Sequence, residues 1–212
     1  MYIPSSFKET RSEVLQELIQ ANNFGILISQ GDSKPQATHL PFTIDPDRGP
    51  NGTLVTHMAR ANKHWRSMNE HTEALAIFQG AHSYISPSWY EKKASVPTWN
   101  YGAVHVYGKP RVIEDRSRLH TIVTELVELH ESDQEGGWSM DLVEHKLDSM
   151  LKAIVGLEIP IEEIEGKMKF NQNRSDEDRR GVIAHLSSTG KPAKQKVADI
   201  MKNHLEEEKG NN

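Results

Sequence analysis

The 212-residue chain has no cysteine. That excludes disulfides, thiolate nucleophiles, and zinc or iron–sulfur sites built on Cys ligands, and it is compatible with a reducing compartment. No apolar run approaches the roughly 20 residues that a membrane-spanning helix needs, and the opening MYIPSSFKETRSE lacks the apolar core of a secretory signal. The expectation is a cytoplasmic protein with no membrane partner. Positive charge is not in excess either. Lys and Arg number 25 against 30 Asp and Glu, a net charge of −5 with His neutral, so a globally basic nucleic-acid footprint is missing and only local patches remain open. Also absent are a P-loop, a Rossmann glycine pattern, a GxSxG elbow, and HxH or HExxH pairs. The histidines therefore read as hydrogen-bonded structural residues, and no metal is expected. Aromatic residues make up only 7% of the chain, which makes their placement informative.

They crowd into residues 52–107. Trp65, Trp89 and Trp99 fall there, with Tyr84, Tyr90, Tyr101 and Tyr107 and with His57, His64, His82 and His105. Rings interleaved with imidazoles, Asn and Arg suit a concave site that stacks on a planar ligand and fixes its polar edge. Two segments carry this chemistry. In GTLVTHMARANKHW (52–65) a strand runs into a helix at Thr56, His57, Arg60, Asn62 and Lys63, with Asn62 as the N-cap. Outward N–H groups, a guanidinium and a hydroxyl there could hold a phosphate; a capped surface helix with solvated charges is the plainer alternative. In residues 82–107 the prolines restrain Trp89, Trp99 and Asn100 in a structured loop, which reads as a stacking wall, as a plug for a barrel end or as a subunit contact.

Periodicity supplies the framework. A Thr10–Glu13 capping box opens a helix ending near residue 22. Strands are expected at Phe24–Ser29, Ala37–Ile44, Thr53–His57, Ala74–Gln79, Ser83–Ser86 and Ala103–Ile113, with a short helix at Asn62–Asn69. Asp115 caps a helix carrying Leu119, Ile122, Val123, Leu126 and Val127, a second starts at Ser139, and residues 153–165 return to strand. Helices at about 176–187 and 193–207 close the chain. In the tail, KFNQNRSDEDRRGVI (169–183) sets Asn171, Gln172, Asn173 and Arg174 between strand and helix, where they reach a ligand or close a turn. The last two helices mix Lys with Asp and Glu across a connection longer than a helix-turn-helix uses, so they read as packing helices. Strands first and helices appended later point to an antiparallel α+β domain, a β-barrel.

At MYIPSSF, HLPF (39–42), GTLVTHMARANKHW, FQGAHSYISPSWY, VPTWNY and KFNQNRSDEDRRGVI the chain resembles the PaiB family, named as negative regulators of protease synthesis and sporulation in bacilli. That family is similar to the FMN-binding split barrels, which include pyridoxamine phosphate oxidases and flavin reductases. The resemblance implies an antiparallel six-stranded split β-barrel with appended helices. Residues 1–170 would form the barrel, with helices inserted at about 115–151, and 171–212 would pack on it. It further implies a homodimer with any flavin site at the subunit interface, Thr56, His57, Arg60, Asn62 and Lys63 being the positions that correspond to the phosphate-holding groups of such barrels. The chain lacks the closing Arg-Leu-x-Pro segment of the oxidases, which argues against pyridoxine chemistry. The function expected is a PaiB-like negative transcriptional regulator on an FMN-type barrel, with DNA contact implied by the family label alone. The alternatives are an FMN-dependent oxidoreductase and a haem-handling split barrel with a histidine ligand. No catalytic residue is assigned.

Overall fold

The computed structural model describes residues 1–31, 33–69, 71–136 and 138–210. Its contacts divide the chain into two compact units: one comprises Met1–Leu18, Gln79–Val104 and the chain from Glu165 onward, the other Ile19–Phe78 and His105–Ile164. The described residues form eight strands: β1 (Lys8–Glu9), β2 (Phe24–Gln30), β3 (Pro35–Asp45), β4 (Thr53–Ala59), β5 (Ala74–Ile85), β6 (Thr98–Gly108), β7 (Arg111–Ile113) and β8 (Ile154–Lys169). The order β8-β4-β3-β2-β5-β6, with β6 pairing back to β8, closes a ring of six, and β1 and β7 each add to β8. The β2–β3, β3–β4, β4–β8 and β2–β5 ladders are antiparallel. The fold is the antiparallel six-stranded split barrel, and its helices are α1 (Ser12–Ala21), α2 (Arg116–Glu131), α3 (Glu144–Lys152), α4 (Asp176–Ser188) and α5 (Pro192–Gly210).

Local chemistry accounts for most boundaries. The DPDRGPNG turn joins β3 to β4, with Gly49 and Gly52 both at φ 90°, a conformation that favours glycine. Asp115 accepts the Arg118 N–H at the start of α2, and Ser175 accepts the Asp178 N–H at the start of α4, each satisfying a donor that the first helical turn leaves free. At α1 the Glu9 carboxylate accepts the Thr10 and Arg11 N–H groups. In the unit holding α2, Ile122 and Leu126 pack on Val55 with Ile113 alongside. In the other unit, α4 and α5 bury Val182, Ile183, Leu186, Val197, Met201 and Leu205 with Ile85, Tyr90 and Phe170.

Several expected elements differ. The segments 74–79 and 83–86 are one strand, β5; burial alternates from Ala74 to Gly80 and then slips by one residue at Ala81–His82, the pattern of a β-bulge, which hides continuity from a period-two reading. The stretch 98–102, expected within a loop, is the start of β6, and its alternation is unbroken. The strand expected over 103–113 divides at Lys109–Pro110, because proline has no N–H for a ladder. The helices expected at 62–69 and from Ser139 are a 3-10 turn over Lys63–Ser67 and a 3-10 turn over Met140–Val143 leading into α3.

Candidate functional site

At the β4 junction the expected residues are neighbours along one segment, and most are already bonded within the fold. Thr56 is fully buried and donates its hydroxyl hydrogen to the Pro41 carbonyl at 2.5 Å. The Arg60 guanidinium donates to the Lys152 carbonyl at 3.0 Å, is paired with the Glu114 carboxylate, and lies 5.8 Å from the Trp65 ring centroid. Asn62 accepts the His64 N–H at 3.1 Å and donates to Thr38 Oγ1 at 3.2 Å. Lys63 is exposed. Half-buried His57 has an Nδ1 without a partner among the described residues.

His64 was legible only as part of the crowd, and both of its ring nitrogens are bonded within the fold. Its ring is buried, with Nε2 2.9 Å from Ser29 Oγ and Nδ1 2.8 Å from Thr38 Oγ1. One hydroxyl donates and the other accepts, an arrangement that suits a neutral imidazole. Burial pushes His57 and His64 below the ordinary histidine pKa. The protonated form is thus disfavoured in the folded state, so the unfolded chain binds more protons once the pH drops below about 6.5. Stability from these rings is complete above that value and is lost as the pH falls through their depressed folded values. The urea midpoint is expected to fall between pH 7.5 and pH 5, and to fall less in His57→Gln; equal losses in both proteins would refute this.

In the same unit an open groove of about 610 Å³ is lined by Ser29, Gln30, Pro35, Thr72, Leu75 and Tyr107. A second, of about 360 Å³, is walled by Arg60, Glu114, Arg116, Leu119, Asp148 and Lys152. Its charges pair internally, Arg60 with Glu114 and Arg116 with Asp148.

The other expected residues lie in the first unit. Trp89 stacks on His185, with ring centroids 4.1 Å apart and planes at 17°, and Lys194 lies 6.0 Å from the indole. Its turn is pinned to α4 through the Glu91 N–H, which donates to Asp178 Oδ1 at 2.9 Å, and through Gly181, where a Cβ would fall 2.3 Å from the Trp89 carbonyl oxygen. Asn100 is fully buried; its Nδ2 is 3.4 Å from Met201 Sδ, and its Oδ1 has no partner among the described residues. Trp99 is 54% exposed and Tyr84 42%. The two rings meet edge to face at 6.0 Å, with His82 at 6.5 Å from the indole. This is an open aromatic surface whose rings are held by strands.

Sequence reasoning missed two of the three cations beside it, Lys167 and Lys169, and had Arg174 only as a residue that reaches a ligand or closes a turn. Lys169 Nζ donates to the Trp99 carbonyl at 2.8 Å and to Thr98 Oγ1. Lys167 Nζ donates to the Tyr2 carbonyl at 3.0 Å and lies 5.2 Å from the Tyr101 ring centroid. Arg174 donates to Ser95 Oγ at 3.2 Å and lies 4.9 Å from the Tyr90 ring centroid. Burial, then the charges of Lys167 and Arg174, hold the Lys169 amine below the usual lysine range. The signal that was available is the KMK alternation, which puts two lysines on one face of β8.

A family model described as "Putative FMN-binding domain" matches residues 1–163. The chain belongs to this family. It is also 36% identical over 209 residues to "Protease synthase and sporulation protein PAI 2" of Bacillus subtilis, an alignment spanning 98% of this chain and 100% of that protein. The PaiB resemblance therefore holds over the full length. Among solved structures, the flavocytochrome Anf3 of Azotobacter vinelandii superimposes with a TM-score of 0.60 at 13% identity, covering 82% of this chain and 75% of that one. The FAD and haem binding protein of Mycobacterium smegmatis superimposes with a TM-score of 0.59 at 16% identity, covering 81% and 78%. At such identities the likeness of this chain to these two proteins is one of fold. Among the described residues no helix is long and apolar enough to cross a membrane.

Proposed function

We propose that this chain is a cytoplasmic flavin-nucleotide-binding protein that takes FMN on the aromatic surface around Trp99 and acts, as a homodimer, as a PaiB-type negative regulator of protease synthesis and sporulation. The observation that carries the ligand is the half-exposed Trp99–Tyr84–His82 surface in a member of an FMN-binding family. A planar isoalloxazine offers such a surface a large apolar face and a polar edge. The regulatory role is supported by the full-length likeness to the Bacillus subtilis protein. Regulation would pass through the liganded dimer. The ion pairs Arg179–Glu208, Arg180–Asp176 and Lys202–Asp199 take up part of the basic charge of α4 and α5, which supports reading them as packing helices.

The test is a flavin titration of the purified protein, followed by fluorescence quenching. FMN and riboflavin should both bind, and Trp99→Ala should weaken both by roughly tenfold, about 1.4 kcal/mol, the order of one aromatic stacking contact. Failure of the wild type to bind either flavin overturns the ligand. Sedimentation at micromolar concentration should give a dimer that Trp99→Ala weakens, since large aromatics dominate interfaces; a wild-type monomer overturns that part. Rapid reduction of the bound flavin by a nicotinamide would favour an FMN-dependent oxidoreductase instead.

A further inference from the structure

We infer that Lys167, Lys169 and Arg174 form an anion subsite, and that it takes the phosphate monoester of the planar ligand stacked at Trp99. The inference rests on the flavin reading for the identity of the ring, whereas the anion chemistry rests on the cations alone. All three residues lie beyond residue 163, where the family model ends.

Three features carry it. First, the hydrogen bonds of these cations go to neutral acceptors: the Trp99 and Tyr2 carbonyls and the hydroxyls of Thr98 and Ser95. Nearby carboxylates have other partners, since Glu9 is held by Arg11 and Glu165 by the N-terminal ammonium. Second, the cations are concentrated and partly desolvated. Lys167 is 8% exposed and Lys169 half-buried, and like charges gathered away from water are costly until an anion joins them. The lowered affinity of Lys169 for its proton, caused by burial and by its two cationic neighbours, is the signature of that unbalanced field. Third, the cations are fixed to the aromatic surface. Lys169 bonds the backbone of Trp99 itself, and Lys167 lies over Tyr101, two residues further along the same outward face of β6. Lys169 spends two of its three N–H groups on protein, so one remains for a ligand oxygen. The β4 junction makes a weaker claim on the phosphate. Arg60 there already serves Glu114 and the Lys152 carbonyl, and the turn after Asn62 spans five residues.

The experiment uses the full chain and compares FMN with riboflavin, which has no phosphate. Lys169→Gln and Arg174→Gln keep a hydrogen-bond donor and remove the charge. Each should weaken FMN by roughly ten- to hundredfold, the scale of a charge-assisted contact, and change riboflavin less than about twofold. Lys169→Arg should retain FMN. Arg60→Ala should leave the FMN-to-riboflavin ratio unchanged. Equal losses of both flavins in Lys169→Gln, or a phosphate-specific loss in Arg60→Ala, would overturn the subsite. So would a wild type that binds both flavins equally, while leaving the flavin reading intact. If the wild type binds neither flavin, thermal stabilisation by inorganic phosphate decides: stabilisation lost in Lys169→Gln upholds the subsite while the flavin reading falls, and no stabilisation of the wild type removes both.

Discussion

Gly108→Ala is expected to destabilise the protein by about 3 kcal/mol, the upper end for forcing atoms into a packed core. A Cβ on Gly108 would lie 2.2 Å from the Pro160 carbonyl oxygen and 2.9 Å from Ile159 Cγ2. The first of these is backbone of β8, so no rotamer change relieves it, and β6 and β8 would have to part where they close the ring. For a chain of this length that corresponds to a fall in melting temperature of roughly 6–12 °C. Gly80→Ala is the matched control. It too is a buried strand glycine, but its nearest atoms would be 3.5 Å away, ordinary contact, so alanine there should be neutral or slightly stabilising through the unfolded chain. Thermal unfolding followed by circular dichroism reads both. Equal melting temperatures for the two variants would show that the close approach at Gly108 is not what sets its identity.

Helices were the most legible part of the fold, because their evidence is local. The stripe Val182, Ile183, Leu186 is buried on α4, and the side chains of Asp115, Ser175 and Asn62 each accept the backbone N–H that a cap requires. Apart from the two-residue β1, strand existence was legible and strand extent was not. One phase slip at Ala81–His82 split β5 in the reading, and the aromatic run after Pro97 disguised the first turns of β6 as loop. The candidate site divides along the same line. The crowding of rings in residues 82–107 marked the aromatic surface, because scarce residue types clustered in sequence are visible without a structure. Lys167 and Lys169 were not marked. Their relation to Trp99 and Tyr101 spans some 70 residues of chain, and in isolation GKMKF reads as a strand with solvated lysines. Arg60 shows the converse: its spacing suggested a phosphate contact, and the structure adds Glu114 as a partner that the sequence did not mark.

The largest loss expected from a single substitution is at Phe78. The ring is fully buried in the second unit and meets the equally buried Phe42 edge to face, with centroids 5.3 Å apart and planes at 77°. Phe78→Ala should cost about 4 kcal/mol, from lost transfer energy and the cavity left behind, with the aromatic pair adding to it. Gly25 makes the packing testable without assuming any absolute scale. A Cβ at Gly25 would fall 2.7 Å from Phe78 Cε1, so Gly25→Ala alone should cost roughly 1–3 kcal/mol by overpacking. In the Phe78→Ala background the same methyl enters vacated space, and most of that cost should vanish. The double variant is then more stable than the sum of the two single losses by about 1 kcal/mol or more, the range seen for residues in direct contact. Urea unfolding of the four proteins measures the cycle, with unchanged m-values as the check that each still unfolds as the wild type does. Simple additivity would mean that the Gly25 backbone adapts on its own, and that the Phe78 ring is not what excludes a side chain from β2 at that point.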